Sequence, residues 1–186
     1  MKVYYHFNIE GFSNTYLVVN ESSNEAVIID PGEITEKIIS QIEEKNLNLI
    51  GILITHNHKA HIEGINTLLK IYSPKVFAAD WEVSQNNTTV ISGDGKFKIG
   101  QINVRYLSIP GHTSDSVAYG IGNLLFTGDI LFAGTIGSTN SSYSEFILRS
   151  NINNKILSQQ DEIVLMPGHG PPTTIEAEKN FNRDLS

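Results

Sequence analysis

A chain of 186 residues is expected to form a single domain over residues 1–186, long enough to bury a core without cross-links. It contains no cysteine, which excludes disulfides, thiolate nucleophiles, cysteine zinc fingers and iron–sulfur clusters. Its 13 Lys plus Arg against 20 Asp plus Glu give a formal charge of −7, and the cations are scattered, so nucleic acid and anionic membrane are not expected partners.

The chain opens with alternation, Val3, Tyr5 and Phe7 against Lys2, Tyr4 and His6, which suits a half-buried strand. Two short β-rich runs follow at Tyr16–Val19 and Ala26–Ile29, separated by the turn-prone stretch Asn20–Asn24. Asp30-Pro31-Gly32 stops the second run. A helix is predicted from about Thr35 to Lys45, with Ile38, Ile39 and Ile42 on one face. The continuous apolar run Leu49–Ile54 reads as a strand buried on both faces, and a helix is expected over Ile62–Tyr72. Residues 82–96 are polar and read as a surface excursion. Strands are expected at Lys98–Leu107, Val117–Gly120, Leu124–Thr127 and Ile163–Met166, with helices at Ser144–Leu157 and about Thr174–Phe181. Strands precede a helix in each half, so two β-rich halves should face each other. No apolar run reaches the ~20 residues of a membrane span. The first eleven residues lack the apolar centre of an export signal, so the expected location is the cytoplasm.

Five of the six histidines fall beside predicted strand ends: His56, His58, His61, His112 and His169. His6 alone is read as a surface or hydrogen-bonded core residue. His-x-His at an extended strand end puts both imidazoles on one side, because side chains alternate with period two. His61, where the following helix begins, can approach the same point from another angle. Neutral imidazole is the commonest ligand for zinc, iron and related metals. His112, Asp129 and His169 each sit in a glycine-flanked turn after a strand, so the strand ends are expected to share one metal site.

The pattern Thr55-His56-x-His58-x-x-His61, Gly111-His112-Thr113, Thr127-Gly128-Asp129 and Pro167-Gly168-His169-Gly170 resembles the metallo-β-lactamase superfamily. The segment Gly128–Gly137 with Pro167–Thr174 looks most like the short glyoxalase-II-like (hydroxyacylglutathione hydrolase-like) hydrolases. The resemblance implies an α/β fold, an αββα sandwich of two facing mixed β-sheets flanked by helices, with the site along one edge. It implies a first metal held by His56, His58 and His112, a second held by His61 and His169, and Asp129 bridging the two. Zinc is the expected metal, with iron or manganese as alternatives.

The family motif H-x-H-x-D-H has Ala60 in place of its aspartate, so one tightly bound metal and a weaker second are expected. Asp30 is read either as a partner that orients a ligand histidine or as a turn residue before Pro31. The resemblance implies metal-activated hydrolysis of a thioester or related ester on a small-molecule substrate, with activity reduced by Ala60. A persulfide dioxygenase using one iron on His56, His112 and Asp129 is an alternative, as is a non-catalytic metal- or ligand-binding relic. An exported, antibiotic-degrading β-lactamase is not expected. The segment Ser138–Tyr143 offers no cation for a glutathione carboxylate, and Lys59 and Arg149 are read as solvated surface charges.

Overall fold

The computed structural model describes residues 1–185. The first half supplies β1 (Lys2–Phe7), β2 (Asn14–Asn20), β3 (Glu25–Ile29), α1 (Glu36–Glu44), β4 (Asn48–Leu53), α2 (Lys59–Ile62), α3 (Ile65–Ile71), β5 (Lys75–Ala78) and β6 (Thr88–Val90). The second supplies β7 (Gly95–Ile99), β8 (Ile102–Ser108), β9 (Val117–Ile121), β10 (Leu124–Gly128), β11 (Leu131–Phe132), β12 (Thr135–Ile136), α4 (Ser142–Asn151), β13 (Val164–Pro167), β14 (Thr173–Thr174) and α5 (Ile175–Phe181). Each half builds one six-stranded mixed sheet, ordered β1-β2-β3-β4-β5-β6 and β14-β13-β10-β9-β8-β7, and β11 pairs with β12 alone. This is the αββα sandwich that the resemblance implies.

Strand periodicity divides the apolar residues among the layers. Tyr16 and Val18 on β2 pack with Phe126 and Tyr119 between the sheets, whereas Leu17 and Val19 face Ile38 and Ile42 of α1 and Leu68 of α3. On the far face of the second sheet, Leu125 and Leu165 pack against Leu148 of α4 and Ile175 of α5. Helix starts are fixed by capping: Thr35, Ser141 and Thr174 accept from the backbone N–H three residues on.

Several boundaries differ from the sequence reading. The predicted strand Lys98–Leu107 is a hairpin of β7 and β8, turned at Gly100 with φ of +53°. The single helix expected over Ile62–Tyr72 is broken into α2 and α3 at Gly64, where a Cβ would lie 2.5 Å from the Pro31 carbonyl. The helix expected over Ser144–Leu157 starts two residues earlier, at Ser142, and its last turn widens into a π-helical turn over Ile152–Ile156, which buries Ile152 and Ile156 together. The polar excursion 82–96 carries β6 and the start of β7, and β5 and the β11–β12 hairpin were not expected at all. His6 is buried with its Nε2 2.8 Å from Gln41 Oε1, a hydrogen-bonded core residue.

The topology aligns the C-terminal ends of β3, β4, β8, β10 and β13 along one edge of the sandwich, and the loops after them carry Asp30, His56–His61, His112, Asp129 and His169. The two sheets are stitched at that edge by Val117 N–H donating to the Thr55 carbonyl at 2.8 Å.

Candidate metal centre

All the predicted histidines and Asp129 converge. His56, His58, His112 and Asp129 present ligand atoms within 4.8 Å of one another, and so do His61, Asp129 and His169. In the first set, His56 Nε2 lies 2.9 Å and His112 Nε2 3.2 Å from His58 Nδ1, and each is 3.7 Å from Asp129 Oδ2. These separations bracket ~3.3 Å, the edge of a tetrahedron with bonds of ~2.0–2.1 Å to a central zinc-sized ion. Four donors of this kind at this spacing fit a divalent metal.

The hydrogen bonds behind the ligands choose the tautomers. Thr55 Oγ1 donates its one proton to Asp30 Oδ2 at 2.7 Å, so at 3.1 Å it can only accept from His56 Nδ1. His56 Nε2 is thereby left with its lone pair facing the cluster. His112 Nδ1 donates to the Ser138 carbonyl at 2.7 Å, which frees its Nε2 in the same way. Asp30 itself is buried in a left-handed conformation (φ +50°) and also accepts from Thr55 N–H at 2.8 Å. Its Oδ2 lies 3.2 Å from His61 Nδ1. Asp30 answers to both readings: its carboxylate stands behind His56 and His61, and its carbonyl accepts from Gly32 N–H in the turn around Pro31. Asp30→Asn is isosteric and tolerates the same backbone, but its amide can donate to Thr55 and reverse the His56 tautomer. Metal affinity measured by competition with a chelator is expected to drop about 10–100-fold while the circular dichroism spectrum is unchanged.

The second set has a different electrostatic character. His61 is fully buried between Asp30 and Asp129, with Nε2 3.4 Å from Asp129 Oδ1, yet neither ring nitrogen makes a well-formed hydrogen bond. Burial opposes a charge there, but the carboxylates of Asp129 and Asp30 outweigh it and raise the His61 pKa to about 10. His169 is also raised, chiefly by its 2.8 Å hydrogen bond to Asp129 Oδ1. Burial works against ionised Asp129, but His169 and His61 hold its carboxyl well below the usual carboxylate range. His56 behaves oppositely: burial first, then the neighbouring histidines, lower its pKa to about 2. Burial and His112 lower His58 as well. In the metal-free protein at neutral pH, His56 and His58 are therefore neutral ligands, while His61 holds a proton.

That difference carries a pH prediction. A group whose folded pKa is raised keeps its proton until the pH passes the folded value, so His61 stays charged from the unperturbed value near 6.5 up to about 10. A metal entering the second set must displace that proton. Its affinity is expected to rise at least about tenfold per pH unit between pH 7 and 9, whereas any proton release tied to His56 is absent. Calorimetric titration in two buffers of different ionisation enthalpy checks both statements.

The motif alanine packs against a neighbouring turn on one side and borders a cavity on the other. Ala60 lies under the turn between β1 and β2: Ser13 Oγ donates to its carbonyl at 2.7 Å, and a Cβ on Gly11 would sit 2.9 Å from its own Cβ. Gly168 is equally constrained, because a Cβ there would fall 2.4 Å from Asp129 Oδ1. The sequence reading missed Asp80 and Asp115, which clamp Asn57 between the first two histidines. Asp115 Oδ2 accepts from Asn57 N–H and Asp80 Oδ2 from Asn57 Nδ2, each at 2.8 Å. Asp115 stands three residues after His112 and was the one detectable signal; Asp80 follows β5 and had none. Lys59 is 81% exposed and paired with Glu63, and Arg149 is paired with Glu145, both surface charges as expected.

The same architecture occurs in known proteins. A hydroxyacylglutathione hydrolase GloC of Haemophilus influenzae is 30% identical over 202 residues, covering 96% of this chain and 95% of that protein. The family model described as metallo-beta-lactamase superfamily matches residues 8–80. The chain belongs to the metallo-β-lactamase superfamily. A hydroxyacylglutathione hydrolase of Chromohalobacter salexigens is 31% identical over 166 residues, covering 87% of this chain, and this chain spans 64% of that protein's length. Among solved structures of the superfamily, the BLEG-1 B3 metallo-beta-lactamase superposes with a TM-score of 0.88 at 27% identity, covering 100% of both chains. The relatives place the chain in a hydrolase family whose His and Asp cluster suits a divalent metal. Among the described residues no helix is long and apolar enough to cross a membrane.

Proposed function

We propose that this protein is a metal-dependent hydrolase that cleaves a thioester or related ester of a small molecule. The observation that carries the reading is the convergence of His56 Nε2, His58 Nδ1, His112 Nε2 and Asp129 Oδ2 within 4.8 Å of one another. The relatives named as hydrolases support it. When bound, a divalent metal supplies hydroxide by bringing the pKa of water from 15.7 to about 7, and it polarises the scissile carbonyl.

The chain's own residues do the rest. His56, His58 and His112 would hold the tight metal, with zinc as the proposed ion. The Asp30–Thr55 pair and the Ser138 carbonyl keep His56 and His112 in the required tautomers. Asp129 would bridge to a second, weaker position at His61 and His169, where its charge is already neutralised by protonated imidazole. Ala60 contributes no ligand, so the second position rests on three donors.

The test is metal content per chain on protein purified without added metal, followed by hydrolysis assays on acyl thioesters and simple esters. Near one zinc with measurable thioester cleavage, lost on chelation and regained with zinc, is the expected result. One iron per chain, with oxygen uptake on a persulfide and no ester cleavage, overturns it. Full metal occupancy with neither activity returns the protein to a binding role and also overturns it.

A further inference from the structure

We infer that the part of the substrate beside the scissile bond is a neutral aromatic or aliphatic group, seated between the turn Pro110–Ser114 and the first turns of α4. This rests on the hydrolase reading and names its substrate class. A cavity of about 320 Å³ opens there, lined by His112 together with Pro110, Thr113, Asn140, Tyr143 and Ile147 among others. It therefore touches the metal centre through His112 itself. No carboxylate, ammonium or guanidinium lines it. Its size suits a ring or a short chain rather than a tripeptide, being at the low end of small-molecule pockets, about 300–1,000 Å³.

Tyr143 brings one aromatic ring to the lining and is 74% exposed. Large rings left in water beside a reaction centre are suited to covering an apolar ligand. The nearby charges on α4, Glu145 and Arg149, satisfy each other at 2.7 Å, so the guanidinium is already engaged.

The surroundings also disfavour an anion. Across Ser114, the neighbouring cleft carries Asp80, Glu82 and Asp115 and no cation. On the other flank, the cavity beside Ala60 carries Glu10, Glu33 and Glu63, and its one cation, Lys59, is paired with Glu63 at 3.2 Å. A glutathione moiety would bring two carboxylates into a field where acidic groups outnumber cations, and each nearby cation, Lys59 and Arg149, already faces a carboxylate at the surface. The leaving thiol or alcohol is therefore neutral, in contrast to what the relatives' names say of those proteins.

Two probes that share one ring separate the possibilities: S-benzyl-N-acetylcysteamine, which is neutral, and S-benzylglutathione. Binding to the metal-loaded protein is followed by amide shifts in nuclear magnetic resonance, which needs no turnover. The neutral probe is expected to bind at least about tenfold more tightly, with shifts at residues 110–114 and 140–147. Tyr143→Ala should weaken it about tenfold at unchanged metal content, and Tyr143→Phe should retain it. Equal or tighter binding of S-benzylglutathione, shifts elsewhere, or indifference to Tyr143→Ala overturns the inference. Acyl thioesters of N-acetylcysteamine and of glutathione are then assayed side by side. Cleavage of both without preference defeats the substrate class alone, whereas binding preference with no cleavage of either defeats the hydrolase reading.

Discussion

Asp129→Asn is expected to remove metal from both halves of the centre and to lower thioester turnover on the order of 10³-fold. Asparagine keeps the size and one acceptor oxygen but loses the charge, and the charge is what the cluster is organised around. Asp129 Oδ2 faces His56 and His112 while Oδ1 faces His61 and His169, so one residue serves every imidazole of the cluster but His58. Without the carboxylate, three neutral imidazoles would hold a dication with no anion, and His61 would lose one of the two carboxylates that sustain its proton. Elemental analysis of purified protein and a thioester assay check the result. Retention of near-stoichiometric metal with turnover within tenfold of the parent would show that Asp129 is not a ligand.

The site was more legible than the fold around it, and for a physical reason. Metal chemistry restricts residue type, so His56, His58 and His61 announce themselves within six positions, and His112, Asp129 and His169 stand in glycine-flanked turns. Core strands were also readable, because β2, β3 and β4 are apolar on both faces where helices cover one side and the second sheet the other. What escaped depends on contacts distant in sequence. The helix breaks at Gly64 because its N–H donates to the Pro31 carbonyl at 2.8 Å rather than back along the helix, and no local pattern records that. The hairpin at Gly100 is the local exception, since Gly100-Gln101 between Ile99 and Ile102 is a turn signal that the sequence itself carries. Asp80 reaches Asn57 from 23 residues away and Asp115 from 58, so the clamp on the histidine turn exists only after folding. Asp30 was ambiguous in sequence because a turn aspartate before proline and an aspartate behind a histidine look the same; here one residue does both.

Ala60→Asp is expected to raise occupancy of the second metal position to near stoichiometric and hydrolysis by about 10²-fold, if the missing carboxylate limits orientation of the nucleophile. The second set now has two imidazoles and one shared carboxylate, and a proton on His61 supplies the positive charge that a cation would otherwise bring. A further carboxylate one residue before His61 favours the cation and completes a four-donor set. Space exists for it, since Ala60 is partly exposed and borders a cavity of about 290 Å³, but Glu10, Glu33 and Glu63 line that cavity, so the added charge costs the metal-free fold about 1 kcal/mol. The opposing feature is the β1–β2 turn, whose Gly11 lies against the Ala60 Cβ and whose carbonyl sits 3.3 Å from His169 Nε2. If that turn keeps His169 turned between Asp129 and Gly11, an added aspartate meets a histidine with both nitrogens already engaged. Metal stoichiometry and thioester turnover of the variant decide between the two. A second equivalent of metal with faster cleavage makes Ala60 the limiting position, whereas one equivalent and an unchanged rate assign the limit to the turn that packs upon it.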